Sequence, residues 1–326
     1  HAQPVEPGAA HSSSHRPQRH QWDEHDHRVY HQGVQWEAED LVHGRRVCPR
    51  SQQQRSLRCS AVAADPPDAP SSLADDLALA HALADEADRV TLNRFLAADL
   101  AVTTKPDATP VTDADRAVER TVRTLLGRHR PYDSILGEEE GGALEGRTWV
   151  IDPIDGTKNY LRGVPVWATL IGLVIDDEVP LGVVSAPALG RRWWATSGQG
   201  AWTTFAGSGP RRCRVSSVGR IADSYVSYAS LGGWSQRPER LEPLLAACWR
   251  TRGFGDFWSY MLLAEGAVDV ATEPELALHD MAALVPVVTE AGGRFTDLSG
   301  RAGPFGGNAV ATNTLLHEEA LGLLRS

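Results

Sequence analysis

Two carboxylates three residues apart, Asp152 and Asp155, close the apolar run Trp149-Val150-Ile151 and stand just ahead of Gly156-Thr157. Oxygen donors grouped in this way suit a hard cation such as Mg²⁺, which takes oxygen ligands at about 2.0–2.1 Å. Pro153 ends regular extension between the two acids, so both can turn toward one ion, and the Ile154 carbonyl between them is a natural further oxygen. Gly156 and Thr157 read as the opening of a helix, whose unpaired N–H groups suit a phosphate. Farther along the chain, Glu138 follows Gly137 at a strand end, and Asp280 precedes the helix start Met281-Ala282-Ala283. Taken singly, each has a plainer reading: Asp280 as a cap, Asp155 as a turn residue, Glu138 to Glu140 as a solvated loop, Thr157 as a helix-start threonine. Four carboxylates in one crevice repel one another strongly without cations. Their joint occurrence points to metal-assisted chemistry on a phosphate ester.

The elements that must position these groups come from periodicity. Leu73, Leu77, Ala80, Leu83, Ala84, Ala87, Val90, Leu92 and Phe95 recur at helical spacing. Residues 105–112 form a turn-rich connection, and 113–129 a second helix with Val118, Val122, Leu125 and Leu126 inward. Short strands are expected at 135–136 and 148–151, then at 166–175 and 180–185 around the acidic turn Asp176-Asp177-Glu178. Two more follow at 192–195 and 200–205. Beyond residue 212 strand and helix alternate: strands at 224–227 and 268–271, helices at 238–249, 257–265, 281–291 and 315–324. This is a layered α/β pattern, with subdomains expected over 73–212 and 213–326 and a ligand crevice between them.

The first 72 residues differ. The segment holds eight of the twelve histidines, many Gln, Ser and Arg, and little apolar periodicity, so it reads as a disordered tail. A tag or upstream translated segment is the favoured origin. The acids between Asp23 and Asp40 oppose a transit peptide, and the histidines lack regular ligand spacing. The stretch from Pro66 to Ser72 reads as a linker ending in a helix cap. Across all 326 residues the net charge of −10 argues against a general nucleic-acid binder. No apolar run reaches the roughly 18 residues of a membrane helix. Cys48, Cys59, Cys213 and Cys248 form no C-x-x-C pair and suit a reducing cytoplasm.

Gly137-Glu138-Glu139, then Asp152-Pro153-Ile154-Asp155-Gly156-Thr157-Lys158-Asn159-Tyr160, then Asp280-Met281-Ala282-Ala283 resemble, in order and spacing, the signature set of the inositol monophosphatase-like family. The resemblance spans about residues 73–326. It implies an αβαβα sandwich and a Mg²⁺-dependent, lithium-sensitive phosphomonoesterase with two or three ions, commonly a homodimer. By the same resemblance Glu138, Asp152, the Ile154 carbonyl, Asp155 and Asp280 are metal ligands. Thr157 then orients the attacking water with Asp115 as its acidic partner, Glu139 stands behind the ligands, and the amides of Gly156 and Thr157 hold the phosphate. Lys105 matches a mobile-loop lysine. The implied reaction is in-line hydrolysis, with one ion near Glu138 and Asp152 and another near Asp155 and Asp280, roughly 4 Å away. His279 departs from the family, which usually has Trp there, and reads as a satisfied core residue.

Within the family, the segments at 162–170, 185–189, 191–194, 255–260 and 264–269 resemble the histidinol-phosphatase branch of actinobacterial type. Histidinol phosphate carries an ammonium and an imidazole beside its phosphate. Its pocket needs an acid or an aromatic wall away from the metals: Asp256 is a candidate acid, and Trp258 or Trp167 a candidate wall. Asp256 is about as readily a helix cap, and Trp258 is more readily a core residue than a wall. Inositol monophosphatase, fructose-bisphosphatase, 3′-phosphonucleotidase and an RNA- or polymerase-associated factor are the alternatives.

Overall fold

The computed structural model of the protein describes residues 72–105 and 109–326. The expectations for the N-terminal tail, and Cys48 and Cys59 with it, lie outside the described residues. Ser72 caps α1 (Leu73–Arg94) by accepting the N–H of Asp75 on its hydroxyl. Ala80, Leu83, Ala84 and Ala87 form its buried stripe. Leu92, expected inward, is 47% exposed, because Thr91 takes the inward position of that turn. The residues read as a turn-rich connection contain a strand, β2 (Pro110–Thr112), which pairs with β1 (Val102–Thr104) just ahead of them. Thr112 then caps α2 (Asp113–His129), which buries Val118, Val122 and Leu126.

Next come β3 (Ser134–Gly137) and β4 (Arg147–Asp155), which pair in parallel. The expectation that Pro153 ends extension needs correction. Strand β4 runs on to Asp155, and its ladder shifts register between Asp152 and Asp155, where proline need not donate. After α3 (Thr157–Leu161) come β5 (Ala168–Ile175) and β6 (Glu178–Ala186). Asp176 and Asp177 both have positive φ (51° and 63°), as a two-residue hairpin turn requires. Strands β7 (Arg191–Thr196), β8 (Gly200–Phe205) and β9 (Arg211–Arg212) complete a seven-stranded sheet ordered β3-β4-β5-β6-β7-β8-β9.

The remaining elements are β10 (Tyr225–Ser227), α4 (Glu242–Ala247), β11 (Arg250–Arg252), α5 (Asp256–Ala264), β12 (Val270–Glu273), α6 (Leu278–Met281), α7 (Leu284–Glu290), β13 (Arg294–Thr296), β14 (Ala309–Thr312) and α8 (His317–Leu324). A second sheet has the order β11-β10-β12-β14-β13. Helix α4 is shorter than the expected 238–249 because Pro243 sits in its first turn and the chain leaves helix at Cys248. The helix expected over 281–291 starts earlier, at Leu278, and breaks at Ala282-Ala283 into α6 and α7. Pro286 has no N–H to offer the Ala282 carbonyl.

Strand alternation builds the layers. Trp149, Ile151, Ile171 and Val183 pack against α1 and α2. Their neighbours Leu170 and Val184 face the opposite way, onto Phe257, Met261, Leu284 and Val287 of α5 and α7. The same central core includes Ala271, Ala309 and Ala311 of the second sheet. Val226, Val270 and Val310 point outward onto Leu244, Leu316 and Leu321. The order of layers is α1/α2, large sheet, α5/α7, small sheet, α4/α8, an αβαβα sandwich.

One glycine pair decides how close the middle layer comes. Gly172 and Gly182 face each other across β5 and β6. A Cβ at Gly182 would lie 2.3 Å from the Ala283 carbonyl oxygen, and one at Gly172 2.9 Å from the Ala282 Cβ. Only hydrogen at both positions lets the α6–α7 junction, and Asp280 with it, rest against the sheet that carries Asp152 and Asp155.

Candidate active site

Asp152, Asp155 and Asp280 each offer an oxygen, and these atoms lie within 4.8 Å of one another. Local bonds aim all three. Asp152 Oδ1 accepts the N–H of Ile154 at 3.0 Å. Asp155 Oδ2 accepts the N–H of Phe257, in the first turn of α5, at 2.6 Å. Asp280 Oδ2 accepts the N–H of Ala277 at 2.6 Å, so it is a helix cap as well as a member of the cluster. Glu138 stands within hydrogen-bonding reach of Asp152. Lys105 Nζ lies 2.7 Å from both Glu138 Oε1 and Glu139 Oε1.

Glu138, Asp152, Ile154, Asp155, Gly156, Thr157, Asp256 and Asp280 line one cavity of about 420 Å³. Glu139 does not line it and sits behind, bonded to Lys105. The N–H groups of Gly156 and Thr157 find no acceptor among the described residues, as an anion cradle requires. Gly156 has φ of 86°, and a Cβ there would press on the Val166 carbonyl.

Electrostatics match a cation site. Burial, then the charges of Glu138, Asp155 and Asp280, push Asp152 well above the usual carboxylate range. Burial, then Asp256 and Asp280, does the same to Asp155. Asp280 is raised chiefly by burial, and Asp256 is pushed up to about 6 by burial and then by Asp280. Burial opposes the charge of Lys105, but its bonds to Glu138 and Glu139 outweigh that and raise it. Acids this close and this poorly solvated are stabilised by positive charge among them. Their hard oxygen donors fit Mg²⁺.

Three expectations are corrected. Asp115 does not hydrogen-bond Thr157. It is the third residue of α2, and its Oδ2 turns back to the N–H and hydroxyl of Thr112. Its Oδ1 is buried without a partner among the described residues, and burial raises the group to about 6. The Thr157 hydroxyl donates instead to the Ile154 carbonyl at 2.9 Å, leaving that oxygen its second lone pair. His279 is not a core residue: it lines the cavity, with Nε2 3.6 Å from Asp280 Oδ1. Trp167 does not line the cavity as a wall, and Trp258 is in place as the core residue favoured for it. Trp167 is buried against Phe95 and Tyr160, and Trp258 packs on Trp193 and Phe257.

Sequence reading missed Lys158, which lines the cavity, and Asn159, whose Nδ2 donates to the Val166 carbonyl and lies 3.4 Å from Asp256 Oδ2. Both belong to the motif around Asp155, so their place in the chain was the available signal. It also missed Glu273, at the end of β12. Burial, then Asp256 and Asp280, raises Glu273 well above its usual range, and its Oε1 has no partner among the described residues. An acid at a strand end seven residues before Asp280 was the available signal.

The family model described as the inositol monophosphatase family matches residues 73–326. A histidinol-phosphatase of Mycobacterium tuberculosis is 59% identical over 252 residues, which are 76% of this chain and 96% of the relative. A histidinol-phosphatase of Streptomyces coelicolor is 56% identical over 257 residues, 77% of this chain and 97% of the relative. Among solved structures, an inositol monophosphatase from Zymomonas mobilis matches with a TM-score of 0.69 at 33% identity, over 79% of this chain and 100% of that one. The chain belongs to the inositol monophosphatase family and is a phosphoric monoester hydrolase.

Proposed function

We propose that the protein is a Mg²⁺-dependent histidinol-phosphatase, releasing inorganic phosphate from histidinol phosphate. The convergence of Asp152, Asp155 and Asp280 within 4.8 Å, beside Glu138 and the free amides of Gly156 and Thr157, carries the hydrolytic reading. Identity of 59% and 56% to two actinobacterial histidinol-phosphatases, over nearly their whole lengths, supports the substrate.

Glu138, Asp152, Asp155, Asp280 and the Ile154 carbonyl are the oxygens that would hold two or three Mg²⁺ ions. Bound there, the ions supply Lewis-acid activation of water and neutralise charge on the leaving oxygen. The chain's own residues do the rest. The amides of Gly156 and Thr157 seat the phosphoryl oxygens at the start of α3. Thr157, held by the Ile154 carbonyl, presents a hydroxyl to the water on that side. Asp256 offers a carboxylate on the cavity wall to the substrate's ammonium, and His279 lines the same cavity beside Asp280. Lys105 holds Glu138 Oε1, so a cation takes that oxygen only once Lys105 has left it.

A homodimer in the cytoplasm completes the reading. Cys213 and Cys248 are free, and no helix among the described residues is long and apolar enough to cross a membrane. A phosphate-release panel with Mg²⁺ tests the substrate. Histidinol phosphate is expected to exceed inositol 1-phosphate and fructose 1,6-bisphosphate in kcat/KM by at least roughly a hundredfold, since a pocket built to pair its polar groups rejects ligands that leave them unpaired by up to about 10⁴–10⁵. Comparable values on all three remove the histidinol assignment and leave a phosphatase. No release from any of them favours a binding factor.

A further inference from the structure

The loop that carries Glu138 and Glu139 is held by a carboxylate that does not touch the cavity. Four consecutive amides span Gly137 to Glu140, and all four donate. Gly137 N–H donates to the Gly141 carbonyl at 3.0 Å, and Glu138 N–H to the Ile151 carbonyl of β4 at 3.1 Å. The next two end on one side chain of α2: Glu139 N–H donates to Glu119 Oε2 at 2.7 Å, and Glu140 N–H to Glu119 Oε1 at 3.0 Å. Glu119 is fully buried. It is itself fixed by Arg123, one helical turn on, whose Nε and Nη2 lie 2.9 and 2.8 Å from Glu119 Oε1. Arg123 also donates to the Gly141 carbonyl, closing the far end of the turn. Space confirms the fit, since a Cβ on Gly137 would lie 2.0 Å from Glu119 Oε1.

We propose that Glu119 is a positioning residue for metal binding: it clamps the amides of Glu139 and Glu140, and so aims the carboxylate of Glu138 at Asp152. This rests on the reading of Glu138 as a metal ligand. Two short charge-assisted bonds to adjacent amides set the orientation of the peptide planes on the C-terminal side of Glu138. The strand bond of Glu138 to Ile151 sets the N-terminal side. An amide in place of the carboxylate turns N–H toward the Glu139 amide when its oxygen keeps the Arg123 side, or toward the Glu140 amide and Arg123 when it does not, so one half of the clamp opens while packing volume stays the same. Groups that orient metal ligands change affinity by roughly 10–100-fold when replaced.

The test is Mn²⁺ titration of the full chain without substrate, followed by the paramagnetic resonance signal of free Mn²⁺, well below the unfolding temperature. Glu119→Gln is expected to weaken Mn²⁺ binding roughly tenfold or more. Gly137→Ala, which displaces the same carboxylate sterically, is expected to weaken it in parallel. Glu138→Gln serves as the control. Unchanged Mn²⁺ affinity in folded Glu119→Gln, with a clear loss in Glu138→Gln, overturns the positioning role and leaves the metal site standing. Unchanged affinity in Glu138→Gln overturns the ligand reading and this proposal together. Should Glu119→Gln fail to fold, Gly137→Ala decides: unchanged affinity there overturns the proposal. Amide hydrogen exchange of the metal-free wild type adds an independent measure. The Glu139 and Glu140 amides are expected to exchange slowly, and fast exchange at both contradicts the clamp.

Discussion

Asp155 shows how one side chain can be held in place before any ion arrives. Its Oδ2 is occupied by the Phe257 N–H, which ties β4 to the start of α5 across 102 residues of chain. Carboxylates of this cluster were legible in the sequence because residue type, order and the adjoining Gly-Thr turn all agree. The direction of Asp115 was not legible. Nothing in Thr112-Asp113-Ala114-Asp115 says that the second acid bends back onto the cap instead of reaching Thr157. A residue far from the site makes the most direct pH test. His317 is wholly buried between the hydroxyls of Thr296 and Thr312, at 2.9 and 3.1 Å. Burial, then Arg294, lowers it from 6.5 to about 4. It is neutral in both states above pH 6.5. Below that the unfolded chain takes up the proton first, so stability falls as pH drops from 6.5 toward 4. By pH 5 this one group is expected to cost about 2 kcal/mol relative to pH 7. Urea unfolding at the two pH values should show that loss in the wild type and a loss smaller by about that amount in His317→Gln; equal losses would show that His317 titrates normally.

At the scale of elements, the long periodic helices and strands β3 to β8 of the large sheet were readable from their largely apolar runs, while β9, two exposed arginines, was not. The pieces that escaped were short. Strands β13 and β14 have three and four residues, too few to show a period. The split between α6 and α7 follows from Pro286, whose effect on a helix read as continuous was overlooked. That junction matters because it carries Asp280 onto the sheet over Gly172 and Gly182. Gly182→Val is expected to force Ala283 and Pro286 outward, at a cost of about 1–3 kcal/mol. Mn²⁺ affinity should fall with it, because Asp280 moves away from Asp152 and Asp155. Thermal unfolding and a Mn²⁺ titration check both halves. A stable variant with unchanged affinity would show that the glycine pair does not set the position of Asp280.

Across the whole molecule, five alternating layers bring side chains from β4, the loop after β3, and α6 into one cavity, although Glu138 and Asp280 are far apart in sequence. A net charge of −10 does not oppose phosphate binding there, because cations held by these acids would reverse the local sign. The layering was legible from the alternation of element types, and the chemistry from three separated motifs. The make-up of the cavity wall was not. Trp167 and Trp258 face packed cores, while His279 and Lys158 take the wall, and only the three-dimensional path of the chain decides which aromatic or basic group reaches that space. The most direct measurement is phosphate release from histidinol phosphate by chelator-treated protein, with and without added Mg²⁺, in the wild type and in Asp155→Asn. Expected is no release without metal, full recovery with Mg²⁺, and less than about a tenth of wild-type kcat in Asp155→Asn despite an unchanged fold. Release that persists without divalent metal, or an Asp155→Asn variant above that tenth, would contradict a hydrolase built on these converging carboxylates.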